Sequence, residues 1–287
     1  MTLILFDLAS NMSNIGPYYT LAFIVTDPNT PCTASWGGYY DLNQSYPDAD
    51  IASLQAAGGL PIVSFGGEAG TELAQSCTSA SALEAQYDAV VTRYNLTRIH
   101  FDVEGAAEGD TTSIQRRNQA IALLQVAHPN LQVSYTLPVL PTGLTQDGIN
   151  VISDAIAKGV NLATVNVMAM DYGPPDTQMG QDAVNAGVAT ASQLGVLYPS
   201  KSEAQLNAMI GVTALIGIND ITSEVFQLSD AQLLLTYAQN NGFGLLSFWS
   251  AERDNQCPHP VNSSQDTCSG VTQTPFQFSG IFKQINP

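Results

Sequence analysis

The sequence predicts an α/β protein folded as a single-domain (β/α)8 barrel, the TIM-barrel fold. Its 287 residues lie within the range of one such barrel and allow a large buried core. Short apolar runs rich in β-branched residues alternate with longer segments rich in Ala, Gln and Leu, which is the pattern of repeated βα units. Eight such runs can be distinguished, and eight parallel strands close a barrel.

The predicted strands are short enough to be buried parallel strands. They cover residues 3–8, 20–25, 60–65, 98–103, 132–137, 164–170, 209–216 and 245–249. Helices are predicted around residues 51–57, 81–94, 112–127, 147–158, 180–197 and 229–240. Ser229 and Asp230 predict the start of the last helix, and Asn241 and Gly242 predict its end. A doubly wound open sheet is the rival fold, but no Gly-rich phosphate turn follows the first strand.

The chain carries no sequence signal for a second folded domain. No low-complexity tract or Pro/Ser-rich linker divides it. We expect the barrel to cover residues 1–256 and an irregular C-terminal appendix, residues 257–287, to pack on the barrel. No apolar run reaches the length of a membrane-spanning helix.

The charge balance is strongly acidic, with 8 Lys and Arg residues against 25 Asp and Glu residues and a formal charge of −17. Such a chain repels nucleic acid and anionic membranes, so neither is expected as a partner. A neutral polymer such as a polysaccharide meets no such repulsion. A soluble secreted surface accounts for the negative charge equally well. We expect the protein to be a monomer.

The four cysteines are Cys32, Cys77, Cys257 and Cys268, and none forms a CxxC metal or redox motif. An even number of cysteines favours disulfides and a secreted, extracellular protein, with buried free thiols as the alternative. Four cysteines allow three connectivities. We favour Cys32–Cys77 and Cys257–Cys268, because the second pair brackets a short loop rich in Pro, Asn and Ser.

Polar residues at the carboxyl ends of barrel strands are the first candidates for function, because these ends converge on one face. The fourth predicted strand places His100, Asp102 and Glu104 at a spacing of two, so their side chains point to the same side, the barrel interior. Two neighbouring buried carboxyl groups raise each other's cost of ionisation, and one should hold a proton near neutral pH. A protonated Glu beside an Asp can donate a proton to a leaving glycosidic oxygen. A structural ion pair or a solvated strand end is the alternative.

Four segments, in order along most of the chain, resemble motifs of family 18 glycoside hydrolases, the chitinases. Residues 101–105 (FDVEG) resemble the end of the DxxDxDxE signature, and residues 64–67 (SFGG) resemble the SxGG motif. Residues 166–173 (NVMAMDYG) resemble the sixth-strand segment, in the Met-Asp-Tyr-Gly form of many bacterial-type chitinases. Residues 244–249 (GLLSFW) resemble the eighth strand with its tryptophan. Each motif alone is weak, but together they are specific.

The resemblance implies a retaining chitinase whose substrate assists the reaction, acting on chitin or chito-oligosaccharides. Glu104 would protonate the leaving oxygen, and the substrate's own 2-acetamido carbonyl would attack the anomeric carbon. Asp102 would hold the acetamido N–H, and Glu104 would then activate water. No phosphate loop, nucleophile elbow or metal-ligand spacing occurs, so no cofactor or metal is implied.

The resemblance also implies binding residues around the carboxyl pair. Trp249 would lie under the sugar at the cleavage site, and Gly67 would contact substrate. Met170 stands where many relatives have a tyrosine that bonds the acetamido oxygen, and Tyr172 is the candidate to supply that hydroxyl, with a packed aromatic as the alternative. Asp171 is expected to bind a substrate hydroxyl or to support a neighbouring side chain.

An outer sugar site is a further expectation for the loop after the second strand. There Trp36 could line the site together with Tyr39 or Tyr40. Packing within the loop is an equally good interpretation of Trp36.

Two motif positions depart from the family pattern, because Thr97 and His100 stand where the family has aspartates. We expect His100 to be one of the substrate-binding residues and a buried partner of Asp102, hydrogen-bonding Asp102 and favouring its ionised form. A non-hydrolytic chitinase-like carbohydrate-binding protein is one alternative function, and an endo-β-N-acetylglucosaminidase acting on N-glycans is another. The presence of both Asp102 and Glu104 favours catalysis.

Overall fold

A computed structural model describes residues 8–173 and 177–285. Its strands are β1 (Tyr18–Thr26), β2 (Ala34–Trp36), β3 (Tyr40–Asp41), β4 (Leu60–Gly66), β5 (Arg98–Asp102), β6 (Gln132–Leu140), β7 (Gly143–Leu144), β8 (Leu162–Ala169), β9 (Ile210–Leu215), β10 (Gly217–Ile218), β11 (Val225–Phe226) and β12 (Leu245–Trp249). Its α-helices are α1 (Leu8–Ile15), α2 (Asp48–Ala56), α3 (Leu73–Ser76), α4 (Ala80–Tyr94), α5 (Ala106–Gly109), α6 (Thr111–Ala127), α7 (Gln146–Ala157), α8 (Met179–Leu197), α9 (Glu203–Asn207), α10 (Leu228–Asn241) and α11 (Gln277–Phe282).

The parallel strands of the main sheet lie in the order β12, β9, β8, β6, β5, β4, β1, and β2 and β3 continue the sheet antiparallel beyond β1. The first and last strands of the parallel series, β12 and β1, approach each other where the rings of Phe23 and Trp249 stack 5.7 Å apart. Helices connect successive strands, which confirms the predicted α/β barrel. Each of these seven strands overlaps a predicted one. The other predicted strand, residues 3–8, lies outside the described residues except for Leu8, which begins α1.

Several helices begin where a short polar side chain caps the first turn. Ser79 accepts a hydrogen bond from the Ala82 N–H at the start of α4, and Asp110 and Thr145 cap α6 and α7 in the same way. Asn95 ends α4 in the left-handed conformation, which Asn tolerates better than most residues.

The predicted end of α10 agrees with the structure, and its predicted start does not. The helix ends at Gly242, whose φ of 74° is the left-handed conformation that glycine adopts without strain. It begins at Leu228, before the predicted cap. The carboxylate of Asp230 accepts the N–H of Gln227 at 2.7 Å, so Asp230 lies within the first turn and bonds back to the residue preceding the helix.

The sheet separates an aromatic outer face from a polar inner one. Phe65, Phe101 and Tyr135 form a chain of ring contacts across β4, β5 and β6, and Tyr87 of α4 packs against the first two. Inside the barrel, the side-chain amide of Asn166 donates to Thr136 and Thr213, bridging three strands. The small polar interior leaves room at the mouth of the barrel.

Both expected disulfides are present and confirm the pairing, Cys32–Cys77 and Cys257–Cys268. No helix in the described part of the chain is long and apolar enough to cross a membrane.

The segment expected to be an irregular appendix contains α11. The buried carboxylate of Asp254 accepts the N–H groups of Phe278 and Ser279 at the start of this helix, at 3.1 and 2.8 Å. The ring of Phe282 lies 5.9 Å from that of Phe248 in β12. Because α11 follows β12 and packs behind it, it is the helical part of the last βα unit, and a boundary at 256/257 would divide that unit.

Candidate active site

Asp102 is the last residue of β5 and points into the barrel. Its strand neighbours Ile99 and Phe101 are buried against the helix layer, so the alternating side chains of His100 and Asp102 face inward. Both are only 8% exposed. The pairing with β6 continues one residue further, since the Val103 N–H donates to the Thr136 carbonyl at 3.0 Å. This extension carries Glu104 to the mouth on the same side.

The carboxyl groups of Asp102 and Glu104 hydrogen-bond to each other. Burial raises the pKa of Asp102 well above its ordinary value, and the neighbouring Glu104 raises it further. Burial also raises the pKa of Glu104, with the Asp102 hydrogen bond opposing the shift and the charge of Glu68 adding to it. The two groups titrate as a pair, and the pair keeps a proton to higher pH than an isolated carboxyl group does.

Two glycines of the SFGG segment allow the loop after β4 to cross close over β5. The Gly67 N–H donates to the Asp102 carbonyl at 3.0 Å. A Cβ on Gly66 would lie 2.0 Å from that same carbonyl oxygen, and a Cβ on Gly67 would lie 2.7 Å from the Phe23 ring. Both glycines also have positive φ, 102° and 86°. The loop therefore fixes the backbone that carries Asp102.

A cavity of about 230 Å³ opens beside the pair. It is lined by the loop after β4, including Glu68 and Glu72, by Asp102 and Glu104, and by the turn at Gly105. Within the described part of the chain, no group of three or more His, Cys, Asp and Glu residues is placed to hold a metal ion.

An aromatic platform formed by Trp249 and Phe23 lies at the mouth. Trp249 ends β12 and is 45% exposed, and the Phe23 ring stacks against it with an angle of 15° between the planes. Such a surface suits the apolar face of a sugar ring. Phe23 was missed by the sequence reasoning, and its only signal is an aromatic residue at the carboxyl end of a predicted strand.

The segment after β8 is held by the protein's own backbone contacts. The Asp171 carboxylate accepts the N–H of Ile221 at 2.7 Å, so it supports the backbone of that loop. Burial raises the pKa of Asp171. Tyr172 is buried and Met170 is half-buried, both at the same end of the barrel as Glu104.

His100 departs from the expected partnership with Asp102. Burial lowers its pKa to about 4, helped by the charge of Arg98, so the imidazole is neutral at pH 7. No hydrogen bond between His100 and Asp102 is present among the described contacts, and the pKa of Asp102 is raised, not lowered. The described contacts therefore do not include the hydrogen bond through which His100 was expected to act on Asp102.

Trp36 does not line an outer sugar site. Its side chain is 4% exposed, and its indole N–H donates to the Tyr94 hydroxyl on α4 at 3.0 Å. Loop packing is the correct interpretation, because the ring is covered by the helix layer. Tyr39 and Tyr40 remain exposed.

A buried, proton-retaining carboxyl pair at the mouth of an α/β barrel, next to an exposed aromatic platform, defines a glycoside hydrolase type of site. A comparison with profiles of protein families found no match. The catalytic domain of a hyperthermophilic chitinase from Pyrococcus furiosus is 31% identical, with a TM-score of 0.89, over 99% of this chain and 92% of that chain.

Two curated proteins are also similar. The chain is 40% identical, over 96% of its length, to the probable bifunctional chitinase/lysozyme of Escherichia coli K12. It is 41% identical, over 83% of its length, to Endochitinase 11 of Metarhizium anisopliae. It spans 32% and 47% of the lengths of these two proteins. The chain belongs to the chitinases of glycoside hydrolase family 18.

Proposed function

We propose that the protein is a chitinase that hydrolyses β-1,4 bonds between N-acetylglucosamine units with retention of configuration. The observation that carries the proposal is the hydrogen-bonded pair of Asp102 and Glu104, in which both pKa values are raised by burial. A carboxylic acid that stays protonated at the pH of the reaction is what a glycosidic leaving group needs.

In the first step, Glu104 transfers its proton to the glycosidic oxygen as the bond from that oxygen to the anomeric carbon breaks. The acetamido carbonyl oxygen of the same sugar attacks that carbon and forms an oxazolinium ion. Asp102 accepts the acetamido N–H and stabilises the positive charge. In support, the buried Oδ1 of Asp102 accepts no hydrogen bond from a described residue and can receive one from a ligand.

In the second step, the Glu104 carboxylate removes a proton from water. The water attacks the anomeric carbon from the face that the leaving group left, and the carbon–oxygen bond to the acetamido group breaks. The product therefore keeps the β configuration. Glu104 ends the cycle protonated, as it began.

The remaining site residues bind and orient the sugar in this scheme. Trp249 and Phe23 lie under its apolar face, the Tyr172 hydroxyl bonds the acetamido oxygen, and Met170 and Gly67 line the site. The Met-Asp-Tyr-Gly segment, residues 170–173, supports membership of the bacterial-type subgroup of the family as part of this proposal.

An extracellular location follows from the same proposal. Two disulfides are stable in an oxidising compartment, and insoluble chitin lies outside the cell that degrades it. The acidic surface favours a monomer acting on an uncharged polymer.

Product analysis tests the proposal directly. The protein is incubated with colloidal chitin, chito-oligosaccharides and a high-mannose glycopeptide, and products are identified by mass spectrometry. We expect short N-acetylglucosamine oligomers and an intact glycopeptide. Release of the glycan would instead identify an endo-β-N-acetylglucosaminidase, and binding without products would identify a lectin. An early α-anomer in NMR spectra would exclude the substrate-assisted route.

A further inference from the structure

A fully buried carboxylate, Glu224, lies outside the pair of Asp102 and Glu104 and contacts the segment after β8. It belongs to the hairpin formed by β10 and β11 and is 0% exposed. Its Oε2 accepts the Tyr172 N–H and its Oε1 accepts the Gly173 N–H, both at 3.0 Å. One carboxylate thus binds two consecutive peptide groups at the residue proposed to touch the acetamido oxygen.

The contact between the two segments is reciprocal. Asp171, on the segment after β8, accepts the N–H of Ile221 on the hairpin at 2.7 Å. Each segment therefore supplies a carboxylate that binds backbone N–H groups of the other. Hydrogen bonds from N–H groups to a charged acceptor are stronger than neutral ones.

The hairpin itself is fixed to the barrel. The side-chain amide of Asn219 donates to the carbonyls of Leu215 and Gly217 at 2.9 and 3.0 Å. The buried guanidinium of Arg253 donates to the carbonyls of Ile216 and Ile218 at 2.9 and 2.7 Å. Glu224 is therefore held at a defined place relative to the ends of β9 and β12.

The backbone that Glu224 holds is in an unusual conformation. Asp171 has a φ of 50° and Gly173 a φ of 102°. The left-handed region is unfavourable for a residue with a Cβ, so the Asp171 backbone needs surrounding contacts to stay there. Loss of the two Glu224 hydrogen bonds would let the segment relax and move Tyr172.

We propose that Glu224 is a positioning residue for glycoside hydrolysis and sets the place of the Tyr172 hydroxyl. The inference rests on the proposed function, because Tyr172 acts on a sugar only in that scheme. A carboxylate is required because each of its two oxygens accepts one N–H. In Glu224→Gln the side-chain NH2 group would face a backbone N–H and one hydrogen bond would be lost.

A double-mutant cycle with Tyr172→Phe tests the inference. We measure kcat and KM on a soluble chito-oligosaccharide, with thermal unfolding in parallel, for the wild type, both single variants and the double variant. Each single variant should lower kcat by roughly ten- to a hundredfold. The double variant should be no slower than Tyr172→Phe, because Glu224 acts through Tyr172. Glu224→Asp, which keeps two acceptors, should recover part of the lost kcat.

Asp254→Asn is the matched control, since Asp254 is also buried and accepts two backbone N–H groups, those of Phe278 and Ser279. It should lower the unfolding temperature and leave kcat unchanged. An equal loss of kcat in Asp254→Asn would overturn the inference. So would a double variant whose loss of kcat equals the product of the losses in the two single variants. If Tyr172→Phe keeps the wild-type kcat, only the inference about Glu224 is overturned. The proposed function is judged separately, by whether the wild-type protein hydrolyses chitin.

Discussion

The proposed catalytic acid is a single side chain, Glu104, and the first prediction concerns its substitution. Glu104→Gln keeps the shape of the side chain but has no proton to donate. We expect turnover to fall by roughly 10²- to 10⁴-fold while oligosaccharide binding, measured by calorimetry, is kept. Near-wild-type turnover would remove Glu104 from the mechanism.

Glu68→Gln is the control for this variant, because it alters the nearby charge and leaves the acid in place. Removing the negative charge of Glu68 lowers the pKa of Glu104, since that charge is one cause of the upward shift. The alkaline limb of the pH–rate profile should therefore move to lower pH. An unchanged profile would show that Glu68 does not act on the acid.

His100 makes the folded protein sensitive to acid. Its pKa is about 4 in the folded protein against an ordinary 6.5, so the unfolded chain binds more protons between these values. Its contribution to stability is complete above pH 6.5 and is lost as the pH falls toward 4, by up to about 3 kcal/mol. Urea unfolding measures the free energy by which the wild type is more stable than His100→Gln. This difference should decrease as the pH is lowered from 6.5 to 4. A difference independent of pH would contradict the prediction.

At the scale of residues, alternation along β5 was enough to predict that His100, Asp102 and Glu104 share a side. It was not enough to predict their contacts. The two-residue period of a strand determines which face a side chain occupies. A hydrogen bond also depends on the rotamer of that side chain and on the neighbouring strands. The prediction that Trp36 lines a sugar site was wrong for a related reason. The burial of Trp36 depends on α4, which is distant in sequence.

At the scale of elements, the loop after β4 depends on the absence of a side chain at Gly66. Gly66→Ala would place a methyl group against the Asp102 carbonyl, and we expect a loss of about 1–3 kcal/mol of stability beyond the cost of the backbone conformation. Gly58→Ala is the matched control, since Gly58 has a φ of 88° and a Cβ there would meet nothing within 4 Å. Equal losses of unfolding free energy in the two variants would show that the close contact is unimportant.

The parallel strands could be predicted because each is a compact apolar run with a predicted helical segment on at least one side. The β10–β11 hairpin could not, because its strands have only two residues each, too few to form a recognisable sequence pattern. The α11 helix was also missed. Its first turn is capped by Asp254, more than twenty positions earlier in the chain, which no local pattern reveals.

At the scale of the whole molecule, one buried ion pair connects α6 to the site. Arg117 binds Glu72 through two hydrogen bonds, and both side chains are almost fully buried. Glu72 lines the cavity, and its charge is one cause of the raised pKa of Asp102. The pair therefore couples the helix layer to the electrostatics of the Asp102 and Glu104 carboxyl groups.

Arg117→Met should cost about 3–5 kcal/mol of unfolding free energy, because it leaves the Glu72 carboxylate buried without its partner. Arg93→Met, which breaks the half-exposed pair with Asp48, should cost no more than about 1 kcal/mol. Chemical denaturation of both variants checks the contrast. The double variant Glu72→Gln/Arg117→Met should lose less unfolding free energy than Arg117→Met alone. Similar losses in the two variants would show that an unpaired Glu72 charge is not the cause of the destabilisation.

The two tryptophans of the chain lie in opposite surroundings, Trp36 covered by α4 and Trp249 nearly half exposed on the platform. Emission from Trp36 is therefore shielded from a dissolved quencher such as iodide, and only Trp249 is accessible to it. A sugar lying on the platform would shield Trp249 as well. The protein thus carries an intrinsic fluorescent reporter of its candidate active site, and ligand occupancy can be followed in the Glu104→Gln variant without any label.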